Sequence, residues 1–398
     1  MKSTATVASA VADTTAQGAT NASRVRSIVT VIALMVAHCA GMLDLVALPV
    51  WINTLTTAYR LNPQSAGGLV TCFLVGVVLS SCFFAPRLNR IRHRIAVPGG
   101  YAVAGISFGA CVFADAYVLL LLLHFIAGIA IGCSLSLIHG RIGLSRNPHR
   151  LFAVVGIALG VFAICFLATA PLSIARHGGD MLFKLFALVM ALAALVTAFG
   201  LGENVATSVT VTRNEAPLSR VVWLGMIGVS CMALNQAMIF SFVLRIGLDR
   251  GFGLAAVTSV LVVLGLVNLM PSPLAAVLQR RLPSGIVLIV GPIVQATLAL
   301  IISNSAVFLP YAVATSLFAG VMIFTHTFAF GTLASVDTSG RAVAATPVTL
   351  MTGAALGPIL GGTLVKSVGY ASLGAVSCVV AFVAIICFSR VAFAKGGA

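Results

Sequence analysis

Residues 202 to 220 read GENVATSVTVTRNEAPLSR, and no other internal stretch of this 398-residue chain is both as long and as polar. On either side of it, windows of roughly 20 apolar residues recur, each long enough to cross a hydrocarbon core about 30 Å thick. Six windows precede it, near 28–53, 65–86, 95–114, 117–140, 151–173 and 181–201. Six follow it, near 220–244, 253–275, 285–303, 307–331, 343–365 and 371–392. The chain therefore reads as an all-α membrane protein of twelve transmembrane helices in two pseudo-symmetric six-helix bundles. The expected organisation is a tail over 1–25, a first bundle over 26–201, a linker over 202–219 and a second bundle with a short tail over 220–398.

Composition points the same way. The chain is 60% hydrophobic and 8% charged, against about 25% charged in soluble domains. Its first residues, MKSTATVASAVADTTAQGATNAS, have no apolar core, and the apolar segment behind them is too long for a signal peptide, so an uncleaved first span is expected. All nine cysteines fall inside expected spans with no CxxC or CxxH spacing, as small apolar packing residues do.

The net charge of +15 is a matter of topology. With the N-terminus in the cytoplasm, Arg60, Arg176, Lys184, Arg245, Arg250 and Lys366 fall outside, and the other 17 of the 23 Lys and Arg fall inside. That asymmetry is the positive-inside pattern. It predicts both termini in the cytoplasm and a lipid bilayer, not a nucleic acid, as the large partner.

Internal similarity supports duplication. NPHRLFAVVGIALG opens the fifth span and DTSGRAVAATPVTLMTGAALG the eleventh, so Arg150 and Arg341 stand 191 residues apart before helices carrying Gly156 with Gly160 and Gly353 with Gly357. Glycines four apart also serve ordinary close helix packing.

Twelve spans in a six plus six arrangement, a basic loop between spans 2 and 3, and this repeated loop, Arg and helix resemble the major facilitator superfamily of secondary transporters, from about Arg24 to Arg390. The family's Gly-x-Leu-Ala-Asp-Arg-x-Gly-Arg-Arg loop corresponds to PRLNRIRHR, where Leu88 and Arg94 fit while Pro86, Arg90 and His93 replace Gly, Asp and Gly. In HFIAGIAIG, His124 stands where proton-coupled members often place an Arg. GAALGPILGG, residues 353–362, matches the Gly-x-x-x-Gly-Pro-x-x-Gly-Gly pattern that drug antiporters carry in span 5, here in span 11. Pro358 and its glycines mark a helix that can bend and approach its neighbours closely, as a gate element would. Arg150, Gly156, Gly160, Arg341, Gly353, Gly357 and Pro358 are thus expected to take part in gating.

No GxxxxGK[ST] loop, spaced zinc ligands or GxSxG occurs, which argues against an ATP-driven pump or an enzyme and leaves no cofactor expected. Of eight acidic residues only Asp44, in GMLDLVALPV, falls inside a span. A carboxylate there costs a few kcal/mol, so it faces the protein interior or a water-filled cavity and can bind and release a proton as access alternates. The plainer alternative is an acid that holds a helix contact. His124, also in the outer half of its helix, could share that proton. His38 falls on another face of span 1, and His139 near the membrane interface. Asn235, Gln236, Asn268 and His326 are expected to offer polar contacts to a small-molecule substrate, although buried amides also bridge helices.

The function expected is secondary active transport, with proton-coupled efflux of a small organic or drug-like compound by a monomer of the inner membrane. Proton symport of an organic, possibly aromatic, acid is the alternative, on the strength of MLDLVAL in span 1. A non-transporting sensor or scaffold is the alternative of another class.

Overall fold

The structure, a computed structural model, describes residues 27–145, 147–202, 218–337 and 341–396. Among them every regular element is helical, and twelve rods follow one another in chain order. They are α1 (Ser27–Thr57), α2 (Pro63–Phe84), α3 (His93–Cys111), α4 (Tyr117–Gly143), α5 (Pro148–His177) and α6 (Met181–Gly200). The second six are α7 (Arg220–Asp249), α8 (Leu254–Leu278), α9 (Ser284–Asn304), α10 (Phe308–Val336), α11 (Arg341–Ser367) and α12 (Ala371–Gly396). Eleven of these are long and apolar enough to cross a membrane by length and composition. The twelfth, α3, has 19 residues, about 28 Å at 1.5 Å per residue. Because each rod reverses the chain, Ser27 and Gly396 lie on one side, the terminal face, opposite a far face. The expected tail over 1–25 and most of the linker, 203–217, lie outside the described residues.

Local chemistry sets several starts. Pro148 opens α5, where its missing N–H costs nothing, and the Asn147 side chain accepts from the Arg150 N–H at 3.4 Å. Ser219 caps α7 in the same way through the Val222 N–H at 3.3 Å. Three rods are interrupted. α1 breaks at Met42, α7 between Phe240 and Val243, and α8 between Val267 and Pro271.

Within the first six rods α2 packs on α4, and α3 on both α4 and α6. Glycine decides the closest of these seams. A Cβ at Gly128 would collide with the Phe73 carbonyl and one at Gly132 with that of Val77, so α4 lies backbone to backbone on α2. The Ser80 hydroxyl donates to the Ile129 carbonyl across the same seam at 2.6 Å. In the second six α11 packs on α7, α9 on α10 and α12, and α8 on α10.

The first bundle's core is an aromatic nest. Trp51 is fully buried, with ring centroids 5.2 Å from Phe73, 5.8 Å from Phe108 and 4.8 Å from Phe186. Trp51→Ala should cost about 3–5 kcal/mol through the cavity left behind. Chemical or thermal unfolding in detergent would show it, and a loss under about 1 kcal/mol would mean that the nest collapses around the gap.

On the terminal face the α2–α3 connection is a short 3₁₀ turn, Ala85–Arg90. Leu88 fills the space over Gly140 of α4, and its carbonyl is 2.9 Å from His93 Nε2. The Arg87 guanidinium lies 4.0 Å above the Phe83 ring. The loop is thus held by Leu88 and a histidine, with no carboxylate of its own.

Candidate functional site

Asp44 stands in the first turn of the second α1 segment, Leu43–Thr57, midway along the rod. Met42, with φ −107° and ψ 20°, leaves helical geometry just before it. Interrupting a helix at membrane depth frees backbone groups, which is tolerated where protein or a cavity surrounds them. Asp44 is only 6% exposed, and its Oδ1 is buried without a hydrogen-bond partner. Among the described residues both side-chain ion pairs lie near the far face, Lys184 with Asp180 at 3.2 Å and Arg245 with Asp249 at 3.0 Å, and neither includes Asp44. Leu45 beside it is 46% exposed, so this stretch borders open space.

The structure does not bring His124 to Asp44. Its Nδ1 bonds the Leu120 carbonyl at 2.7 Å, and its ring lies 5.5 Å from both Trp51 and Phe183 inside the aromatic nest. Trp51 is seven residues beyond Asp44, two helical turns or about 10 Å along α1. His124 Nε2 and Asp44 Oδ1 are both without partners, so the expected shared proton has no bond to carry it here. Two other histidines do meet. His38 Nδ1 is 3.1 Å from His139 Nε2, joining α1 to α4 in their terminal-side halves. The sequence set them on a helix face and at an interface; 101 residues of separation hid the pair.

Two of the four expected substrate contacts bond to helices of their own bundle, although the Asn235 Nδ2 is buried without a partner. Asn235 is 1% exposed and its Oδ1 accepts from the Ser377 hydroxyl of α12. Gln236 Oε1 accepts from Gln295 Nε2 of α9 at 3.4 Å, and the same Nε2 also donates to the Met232 carbonyl. Both amides thus turn to the outer helices of their own bundle. Asn268 and His326 remain. Asn268 sits at the α8 break with a buried, unpartnered Oδ1 near Gly320 of α10. His326 is half-buried on α10, its Nδ1 2.9 Å from the Met322 carbonyl and its ring 5.0 Å from that of Phe330.

The residues expected to take part in gating divide by partner. A Cβ at Gly353 or Gly357 would strike α7 at Ser230 or Ala237, so these glycines serve packing inside the second bundle. Gly160 meets Leu269 of α8 across the bundles, while Gly156 faces nothing within 4 Å. Arg150 is exposed, and the Arg341 side chain lies outside the described residues. Pro358 belongs to a tight seam with α2, where Cβ atoms at Gly67 and Gly362 would collide with the Pro358 and Pro63 carbonyls. In that seam the Thr71 hydroxyl donates to the Ala355 carbonyl at 2.7 Å and accepts from the Ile359 N–H at 3.2 Å. Those are the two groups that an α-helix would bond to each other. Lys366 Nζ to Gln64 Oε1 at 3.0 Å closes the seam toward the far face. The sequence offered no signal for Thr71.

A family model described as the Major Facilitator Superfamily matches residues 33–334. The chain belongs to that superfamily. Among solved structures, a point mutant of the nucleoside transporter NupG has a TM-score of 0.72 at 12% identity, with 93% of this chain and 99% of that one covered. NupG without that mutation gives 0.70 at 14% identity, over 91% of this chain and 99% of that one. A bacterial homologue of the human lysosomal transporter Spinster, in an inward-facing and unoccupied conformation, gives 0.64 at 13% identity, over 93% of each chain. No curated protein sequence matches. As a superfamily member the protein is a multi-pass membrane transporter whose two bundles meet at α2 with α11, α5 with α8, and the far halves of α1 and α7. Among the described residues no comparable contact joins α4 to α10 or α11. Between α2 and α11 the contacts through Gly67, Thr71, Gly362 and Lys366 lie toward the far face.

Proposed function

We propose that this transporter exports a small, weakly polar organic or drug-like compound from the cytoplasm in exchange for protons, with Asp44 as the proton-binding group. The buried, unpaired carboxyl at the α1 break is the observation that carries the reading. Alternating access would expose it to one side and then the other, and the difference in its hydration drives uptake and release of the proton. The positive-inside distribution of Lys and Arg supports a terminal face turned to the cytoplasm, with an inner membrane as the proposed location. The far-face seams are then the external gate.

The polarity of the surface between the bundles sets the substrate class. Of the four expected contacts, Gln236 and the Asn235 Oδ1 bond within their own bundle, which leaves Asn268, His326 and the unpartnered Asn235 Nδ2 as polar groups for a solute. Apolar sites with few polar anchors favour amphiphilic solutes over sugars or polyanions. Proteoliposomes holding an internal pH dye and challenged with a panel of drugs and organic acids provide the test. Export by exchange predicts that an outward solute gradient acidifies the side the solute leaves. Movement of solute and proton in the same direction would make the protein a symporter, and solute movement with no proton would remove the coupling proposal. His326→Ala should weaken solute binding by about 1–2 kcal/mol, the order of a lost hydrogen bond. Unchanged affinity in a binding titration would take His326 out of the site.

A further inference from the structure

The geometry points to a second proton-binding site, the His38–His139 pair, which holds one proton at a time independently of Asp44. An imidazole pair bonded nitrogen to nitrogen needs one N–H between the rings. Here that bond is 3.1 Å between His38 Nδ1 and His139 Nε2, with centroids 5.2 Å apart and planes at 44°. If His38 donates, its Nε2 keeps the free lone pair; if His139 donates, its Nδ1 does. One outer nitrogen can therefore take a proton, turning one ring into an imidazolium while the bond between the rings persists and is strengthened by the charge. A second proton would place two N–H groups and two positive charges face to face, so the pair saturates at one.

Protons can reach the pair. Neither His38 Nε2 nor His139 Nδ1 is among the buried polar atoms left without a partner, and neither makes another hydrogen bond, so both reach accessible space. His139 is half-buried beside Phe152 of α5, with centroids 5.9 Å apart. Among the described residues the surrounding titratable groups are Cys39 and Asp44 on α1, Tyr101 on α3 with its hydroxyl on the Ala37 carbonyl, Cys133 and Arg141 on α4, and exposed Arg150 on α5. Arg141 Nη1 turns away to the Gly202 carbonyl at 3.1 Å. Asp44 is six residues further along α1, beyond the break at Met42, and takes no part in the bond between the two rings, so the two sites load separately.

Nitrogen-15 NMR of the histidine-labelled full chain in lipid nanodiscs reads the pair directly, whether or not solute transport is proton-coupled. His38→Gln and His139→Gln assign the two rings by the signals each removes, and His38→Asn serves if the first variant does not fold. Between about pH 5 and 8, the range in which histidine normally titrates, both rings should shift together at one midpoint with uptake of a single proton. Asp44→Asn should keep that joint step. His38→Gln should leave His139 titrating as an ordinary single ring. Two separate one-proton steps, or rings that stay neutral across the whole range, would overturn the proposal.

Discussion

Asp44→Asn protein should still exchange solute for solute across a membrane, while solute-driven proton movement falls about 5–150-fold, the span of typical coupling free energies between two ligands. The amide keeps the shape of the acid but cannot cycle a proton. Exchange needs only the rocking of loaded bundles, so it survives; net transport against a gradient needs the proton, so it fails. The same substitution distinguishes a working acid from a structural one through stability. Asp44 Oδ1 has no partner to lose, so the variant should unfold at the same temperature as wild type or above it. Counterflow assays, dye-reported proton flux and a thermal unfolding curve in detergent, run on one preparation, settle the matter. Equal proton flux in both proteins, or a clear drop in unfolding temperature, would return Asp44 to a packing role.

Gly67→Val should be as damaging at the far-face gate. Its first side-chain carbon would fall well inside van der Waals contact with the Pro358 carbonyl oxygen, a backbone atom that cannot swing away. Overpacking of this kind costs about 1–3 kcal/mol, and here the cost falls only on conformations in which α2 touches α11. The balance then moves by roughly 5- to 150-fold toward states with that seam open. Solute transport should fall accordingly, and a cysteine placed at Ser65 should label faster from the far side. Gly156→Ala, facing open space, is the matched control and should stay near wild type. Fast transport by Gly67→Val would mean that the seam is not part of the cycle.

How much of this was legible follows from the range of each interaction. Apolar windows of membrane length, the polar stretch before Arg220 and the Lys and Arg asymmetry are local properties of the chain, and the apolar windows delivered the twelve rods and the superfamily. Bilayer thickness is a constraint that acts on each segment separately. Which polar side chain faces which neighbour is set by how helices far apart in sequence rotate against one another. Asn235 and Gln236 carry the same periodicity whether they face a cavity or Ser377 and Gln295. His124 lies in the same half of the membrane as Asp44 yet is enclosed by Trp51 and Phe183.

The matched glycine pairs show the limit most directly. Gly156 with Gly160 and Gly353 with Gly357 look equivalent in sequence, but the second pair is pressed onto α7 while Gly156 touches nothing. A glycine marks where close approach is permitted, and only the packed bundle decides whether another backbone comes. The sequence by itself thus determined the number and order of the membrane helices, because desolvating a backbone in lipid leaves each segment few choices. The tertiary structure alone decided the His38–His139 pair and the Thr71 bridge into α11. Each depends on groups 101 or more residues apart meeting within about 3 Å, a distance fixed by how the packed helices rotate against one another.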